Sequence, residues 1–194
     1  MTSCAESIDR SMHPLFQAGE GGSIPTSALQ LLVERIAYGR ALELNRQWHS
    51  ILPNFGSGFI ETQPFPCFAA TYDGTIYAVA IWSNPVARKL PQREWLELRR
   101  MAISDDAPRN TASRMLAIMR RKLHELRPWV TRLCSYQSKS VHNGTIYKAD
   151  GWTAVSECKG DTWNRPLRPR PESKQIDDRI RWERPIVGPP ENGV

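Results

Sequence analysis

The stretch CFAATYDGTIYAVAIW, residues 67–82, restricts the possible folds more than any other part of this sequence. Two runs rich in β-branched and aromatic residues surround Asp73 and Gly74, the pair preferred in the type I′ turn of a two-residue hairpin. The sequence therefore predicts an antiparallel β-hairpin at this position, and the rest of the fold must be built around its two strands.

The residues before the hairpin predict a helix and leave one segment open. Residues 29–36 (LQLLVERI) fit either a strand or the start of a helix, because the run is too short for its periodicity to decide. Residues 37–49 have apolar side chains at spacings of three and four, which is typical of one face of a helix.

A long strand is predicted over residues 94–103 (EWLELRRMAI). Strict alternation places Glu97 and Arg99 on one face of this strand and Arg100 on the other. Charges on both faces are unusual unless one face borders a cleft, so this strand is a candidate wall of a functional site.

The second half of the chain predicts a helix, a strand, a short helix and a last strand. The helix has an apolar stripe and ends before Pro128. Residues 129–136 predict the next strand, residues 142–152 (HNGTIYKADGW) a turn with a short helix, and residues 152–158 the last strand. This order indicates an α/β protein of the α+β type with a mixed sheet.

Length and composition predict a single domain with flexible termini. We expect a flexible leader over residues 1–26, one domain over residues 27–160 and a Pro/Arg-rich extension over residues 161–194. The four cysteines are far apart and form no CxxC pair, which disfavours a disulfide framework or a zinc cluster. The sequence has neither a signal peptide nor an apolar run of membrane-spanning length, so we expect a cytoplasmic protein without a membrane partner.

Positive charge is concentrated in one region of the sequence. Residues 99–132 contain nine basic and three acidic residues, whereas the whole chain has a net charge of +6. Such a concentration is typical of a surface that binds a phosphate-rich partner, most simply nucleic acid, and is equally typical of a solvated helix face.

Three motifs resemble a known family. They are LELRRMAISDDAPRNTASRML, CSYQSKSVHNGTIYKADGW and DTWNRPLRPR, in this order and spacing. Together they resemble the bacteriophage Mom family of DNA-modification proteins over roughly residues 30–170. That family is similar to the GCN5-related N-acetyltransferases (GNAT), whose mixed, splayed sheet with a helix after the fourth strand has the element order predicted above.

The resemblance implies an enzyme that adds a carbamoylmethyl (acetamido) group to N6 of adenine in double-stranded DNA. It would protect phage DNA from restriction endonucleases in the cytoplasm of the host cell. Two other functions stay open: a conventional GNAT acetyltransferase that uses acetyl-CoA on a small amine or a protein, and a non-enzymatic DNA-binding module. The sequence leaves open whether the chain forms a homodimer.

The loop before the long helix departs from the usual GNAT pattern. In the segment Arg109–Arg114, Ala112 and Arg114 replace the small residues whose backbone amides bind the coenzyme A pyrophosphate. Since the bulk of Arg114 would obstruct that approach, acetyl-CoA binding is disfavoured, but an anion such as a DNA phosphate is still expected there. Arg109 and Ser113 are the candidate contacts, and Asn110 or Thr111 is the expected helix cap.

The resemblance also implies catalytic roles for particular residues. Tyr147 matches a tyrosine that acts as general acid in many GNAT enzymes, with a structural tyrosine of the core as the alternative. His49 would accept a proton or bind a metal. Members of the family have been linked with iron, and His49 and Asp150 are candidate ligands, although their spacing does not show that they converge.

Further candidates come from the long strand and the aromatic residues. Glu97 would orient the adenine amine or act as base, and Arg100 would bind a phosphate; an ion-paired sheet surface is the alternative. Tyr136 would stack on an adenine swung out of the duplex, with an aromatic residue of the core as the alternative. Arg165, in the extension, would contact the DNA backbone, with a solubilising tail as the alternative.

Overall fold

The computed structural model describes residues 24–49, 65–160 and 177–187, and it confirms the hairpin. The strands β2 (Cys67–Tyr72) and β3 (Thr75–Ser83) pair antiparallel. Asp73 and Gly74 both have positive φ, 47° and 75°, as the type I′ turn requires.

The remaining elements follow the predicted order, with one addition. The segment left open before the hairpin is a short 3-10 turn, Ala28–Gln30, followed by a strand. The bounds are β1 Leu32–Arg35, α1 Tyr38–Trp48, β4 Trp95–Ile103, α2 Thr111–Leu126, β5 Arg132–Ser138, α3 Thr145–Ala149, β6 Thr153–Cys158 and β7 Arg179–Pro185. The strand β7 is the addition, so the prediction that residues 152–158 form the last strand is wrong.

The seven strands form one mixed sheet in the order β1-β2-β3-β4-β5-β7-β6. All neighbours are antiparallel except β4 and β5, which are parallel. The β4–β5 pairing ends at Leu98 and Ser135, although both strands continue beyond it. The sheet is therefore splayed between the outer halves of β4 and β5.

Each face of the sheet packs on one of the longer helices. The side that we call the α2 face holds the main core, in which Met115, Leu116 and Met119 of α2 contact apolar residues of the central strands. On the opposite side, the α1 face, α1 packs through Ala41 and Leu44 on apolar residues of β2, β3 and β4. The main apolar core thus lies on the α2 face, and the α1 face has only the smaller apolar clusters beneath α1.

A β-bulge in β4 changes which charges share a face. The register with β3 shifts so that Ile81 opposes Arg100 while Trp82 opposes Leu98, which leaves Arg99 as the extra residue. Leu98 and Met101 both pack on the α2 face core, so Arg99 and Arg100 both lie on the α1 face. The prediction that Arg100 takes the face opposite Glu97 and Arg99 is wrong, because strict alternation does not allow for a bulge.

The strand β7 lies within residues 161–194, the expected extension, and is inserted in the sheet between β5 and β6. Its alternate residues Ile180 and Trp182 pack on the α2 face core. Arg181 and Glu183 consequently lie on the α1 face. Arg165 is outside the described residues. None of the helices that the structure describes is long and apolar enough to span a membrane.

Candidate active site on the α1 face

Charged and polar side chains from three neighbouring strands, β4, β5 and β7, share the α1 face beside the splay of β4 and β5. The register aligns Glu97 of β4 with Cys134 of β5 and Glu183 of β7. The next residues toward the splay are Arg99, Arg100, Tyr136 and Arg181. Glu97 and Glu183 therefore form one row, which we call the inner row. The arginines form a second row nearer the splay, the outer row, in which Tyr136 of β5 lies between the arginines of β4 and β7.

Glu97 is a buried carboxylate with two defined contacts. It is 6% exposed, accepts a hydrogen bond from the Val86 amide at 2.9 Å, and lies 3.3 Å from Nε of Arg99. Burial raises the pKa of the Glu97 carboxyl, while the Arg99 charge and the Val86 amide oppose this rise. Part of the role of Glu97 is thus structural, because its carboxylate holds the loop after β3 through the Val86 amide. The same carboxylate also lies beside Arg99.

His49, the residue that ends α1, lies close enough to Arg100 for the arginine charge to act on its imidazole. Burial, followed by the positive charge of Arg100, lowers the pKa of His49 to about 4, and His142 adds to the effect. The imidazole is therefore neutral near pH 7 and can accept a proton or a hydrogen bond. Burial, followed by the charges of Arg99 and Arg179, lowers the pKa of Arg100 to about 10. Like-charged arginines that are partly buried together favour an anion between them.

Tyr136 is half-buried and hydrogen-bonded to Arg181 of β7. Burial, together with Glu97 and Cys134, raises the pKa of Tyr136, and Arg181 opposes the rise. Nε of Arg181 lies 2.9 Å from one oxygen of Glu183, and Nη1 of Arg132 donates to the other oxygen at 3.0 Å. The first contact is an ion pair without a well-directed hydrogen bond. Tyr136 is thus bonded to Arg181, and Arg181 is in turn paired with Glu183 of the same strand, β7.

Tyr147 lies on the other side of the sheet. It is 8% exposed, stacks on Trp182 with ring centroids 5.3 Å apart, and meets Trp152 edge to face. Its hydroxyl is 2.8 Å from the Ser135 hydroxyl, which itself donates to the Leu98 carbonyl. Since Ser135 has one hydrogen, Tyr147 is the donor between the two hydroxyls. This geometry matches the alternative of a structural tyrosine, and the sheet separates Tyr147 from His49 and Glu97.

Asp150 also belongs to the α2 face. It accepts a hydrogen bond from Nε1 of Trp152 at 2.8 Å and lies 3.8 Å from Arg184. His49, at the end of α1, is on the opposite face, so one ion cannot be bound by both. In the part of the chain that the structure describes, no three His, Cys, Asp or Glu side chains are grouped to hold a metal. The described residues therefore do not fit the iron that the resemblance suggested.

The start of α2 provides a second, separate place for an anion. Asn110 is the cap residue, in the left-handed region at φ 67°, and makes no side-chain hydrogen bond to the first turn. Arg109 is exposed, and Ser113 donates to the Asn110 carbonyl. Arg114 does not obstruct this turn, because its guanidinium donates to the Leu29 carbonyl. The expected obstruction by Arg114 is therefore not found.

A small cavity of about 180 Å³ lies between this helix start and α3. Its lining includes Thr111, Ala112 and Ser113 from α2 and Thr145 from α3. Cavities that enclose drug-sized ligands are typically larger, about 300–1,000 Å³. This cavity is large enough for a phosphate group and too small to enclose a whole coenzyme A molecule.

Four α1-face residues escaped the predictions from sequence: Tyr38, Arg179, Arg181 and Glu183. Tyr38, the first residue of α1, has a pKa raised by burial and is close enough to Arg99 and Arg100 for their charges to oppose the rise. No sequence signal marks it. For β7, the alternation in RIRWERP was a signal of a strand, and its place among Pro- and Arg-rich residues concealed it.

The comparison with protein families agrees with the motifs. Residues 74–167 match the Mom protein family. This Mom segment, residues 74–167, is just under half of the chain and confirms the resemblance that the motifs indicated. It contains Glu97, Arg100 and Tyr136, whereas α1 and β7 lie outside it. A search of curated protein sequences finds no match.

Solved structures similar to this chain are acetyltransferases. The ribosomal-protein-S18-alanine N-acetyltransferase from Escherichia coli is 16% identical, with a TM-score of 0.59, covering 84% of this chain and 99% of that one. A Bacillus subtilis acetyltransferase in complex with CoA is 11% identical, with a TM-score of 0.57 and coverages of 81% and 99%. The spermidine/spermine N-acetyltransferase from Vibrio cholerae, in complex with manganese ions, is 7% identical, with a TM-score of 0.58 and coverages of 82% and 94%. The GNAT fold is thereby confirmed.

Proposed function

We propose that this protein is a Mom-type transferase that adds a carbamoylmethyl group to N6 of adenine in duplex DNA. Its active site would be the α1-face cleft beside the splay of β4 and β5. The observation that supports this most is the convergence of Glu97, Arg100 and Tyr136, all in the Mom segment, with His49 of α1. In phage-infected cells the product would protect DNA from restriction endonucleases.

The chemistry of adenine N6 fits this set of groups. The amine is engaged in a Watson-Crick pair, so the base must leave the stack, and a half-buried tyrosine such as Tyr136 can receive its ring. In the transfer, N6 forms a bond to the methylene carbon, the bond from that carbon to the donor breaks, and N6 loses one proton. The neutral imidazole of His49 is the proposed proton acceptor, and Glu97 would orient the amine.

Nucleoside mass spectrometry tests the proposal. Plasmid DNA from cells that make the protein should contain a modified deoxyadenosine heavier by one carbamoylmethyl group, and should resist adenine-sensitive restriction enzymes. His49→Ala and Tyr136→Leu should abolish the modified nucleoside, while Arg121→Gln, an exposed change on α2, should retain it. Unmodified DNA from cells that contain folded wild-type protein would exclude this function.

A conventional acetyltransferase is the second candidate function, favoured by the anion-suited start of α2. This candidate predicts that calorimetric titration with acetyl-CoA gives saturable binding that Ser113→Arg, which fills the cavity, removes. The absence of acetyl-CoA binding would exclude it and leave the first proposal standing.

A further inference from the structure

The strand β7 adds a charged pair to the α1 face from outside the Mom segment. The register places Arg181 opposite Tyr136 and Glu183 opposite Cys134. Because paired residues of antiparallel strands share a face, all four side chains lie on the side that carries Glu97. The side chains of Arg181 and Glu183 are 26% and 6% exposed, so the carboxylate is buried and the arginine side chain is partly accessible.

Tyr136 is flanked by two arginine–glutamate pairs of the same design. On β4, Arg99 contacts Glu97 through Nε at 3.3 Å; on β7, Arg181 contacts Glu183 through Nε at 2.9 Å. In both pairs the glutamate belongs to the inner row and the arginine to the outer row. Because Nε of Arg181 faces Glu183, its hydrogen bond to Tyr136 comes from a terminal nitrogen, and the guanidinium has further N–H groups that can donate to a phosphate.

The charge around Tyr136 also favours an anion. Glu183 is shared between Arg181 and Arg132, so these three groups carry a net charge of +1. A buried carboxylate that orients a guanidinium reduces the entropy that the arginine loses on binding. A general basic patch lacks this arrangement, in which a buried glutamate contacts Nε of each arginine.

We propose that Arg181 binds a backbone phosphate of the nucleotide whose base stacks on Tyr136, and that Glu183 positions it. This inference rests on the proposed function, since it assumes that a nucleotide enters the α1-face cleft. It adds a binding residue that belongs to neither the predicted set nor the Mom segment, and it places the DNA backbone along β7.

Fluorescence anisotropy with a labelled 20-base-pair duplex, measured over a series of salt concentrations, tests the phosphate contact. Arg181→Gln should weaken binding about tenfold and reduce the magnitude of the log–log salt slope by about 0.9, the value for one lost phosphate contact. The matched control Arg121→Gln removes an equal charge from the opposite side of the sheet and should change both quantities less. Equal effects of the two variants, or none, would overturn the proposal.

The variant Glu183→Gln distinguishes two explanations of DNA binding: an Arg181 that Glu183 positions, and the net positive charge alone. This variant gains one unit of positive charge, so charge alone predicts tighter DNA binding. Loss of positioning predicts binding weaker by about threefold to tenfold. Tighter binding would refute the role of Glu183.

If urea unfolding shows that Glu183→Gln does not fold, Arg181→Lys takes its place. Lysine keeps the charge and loses the planar fork. We expect severalfold weaker binding with an unchanged salt slope, and wild-type affinity would contradict the proposal.

Nucleoside mass spectrometry of the same variants distinguishes this inference from the function on which it rests. Wild-type levels of modified deoxyadenosine with Arg181→Gln would overturn the role of Arg181 while the proposed function stands. Unmodified DNA with the wild type, together with a salt slope that falls only in Arg181→Gln, would exclude the chemistry while the phosphate site stands.

Discussion

Tyr147 and Tyr136 are close in sequence and lie in opposite environments. Tyr147 is on the α2 face, stacked on Trp182, with its hydroxyl bonded to Ser135. Tyr136 is half-buried on the α1 face, beside Arg181 and near Glu97. On the α2 face the hydroxyl of Tyr147 is bonded within the core, whereas on the α1 face Tyr136 lies among charged groups beside the splay of β4 and β5. A tyrosine on the first side stabilises the fold, and one on the second can meet a substrate.

The α2 face should be the more sensitive to loss of volume. Trp182→Ala removes the ring on which Tyr147 stacks and leaves a cavity in the main core. We expect the free energy of unfolding to fall by about 3–5 kcal/mol. Urea denaturation followed by circular dichroism measures this, and a loss below about 1 kcal/mol would show that the two faces do not differ as described.

Gly144→Ala tests the close packing at the start of α3. A Cβ there would lie 2.5 Å from Trp182 and 2.7 Å from Gln137, at a φ of 71° that alanine disfavours. We expect the free energy of unfolding to fall by about 2–4 kcal/mol. Gly39→Ala in α1, where a Cβ meets nothing within 4 Å, is the matched control and should stabilise the protein by about 0.5–1 kcal/mol.

Tyr147→Phe should cost about 1 kcal/mol at pH 7, the net contribution of one hydrogen bond. Burial raises the pKa of Tyr147. The folded protein therefore keeps the phenol proton above pH 10, where the unfolded chain releases it, so the wild type loses stability as the pH rises. Urea unfolding at pH 8 to 11 should show the difference between the two proteins shrinking above pH 10.

Tyr136→Leu should have the smallest effect on stability, within about 1 kcal/mol, because the side chain is half-buried and leucine keeps most of its apolar contact. DNA with 2-aminopurine at the target adenine reports base extrusion by increased fluorescence. We expect that increase with the wild type and Tyr147→Phe, and a clear reduction with Tyr136→Leu. The same signal from all three proteins would contradict the assignment of Tyr136.

Much of the fold was predictable because its signals are local. The pair Asp73 and Gly74 determined the hairpin, and apolar periodicity determined α1 and α2. The candidate site was predictable only in part. Glu97 lies buried on the α1 face beside the splay, and its role at a cleft stays a prediction. Arg100 was assigned to the wrong face because the bulge depends on pairing with β3. His49 and Asp150 were grouped by residue type, and the sheet separates them.

The sequence by itself determined the element order from α1 to β6, the net positive charge and the Mom resemblance, since these depend on neighbouring residues and on short motifs. The tertiary structure decided which side chains share a face and where β7 lies. The sheet pairs Ser135 of β5 with Trp182 of β7, and this pairing is set by the common core rather than by local preference. For that reason Tyr147 belongs to the core, while Tyr136 and Arg181 form the candidate nucleotide site.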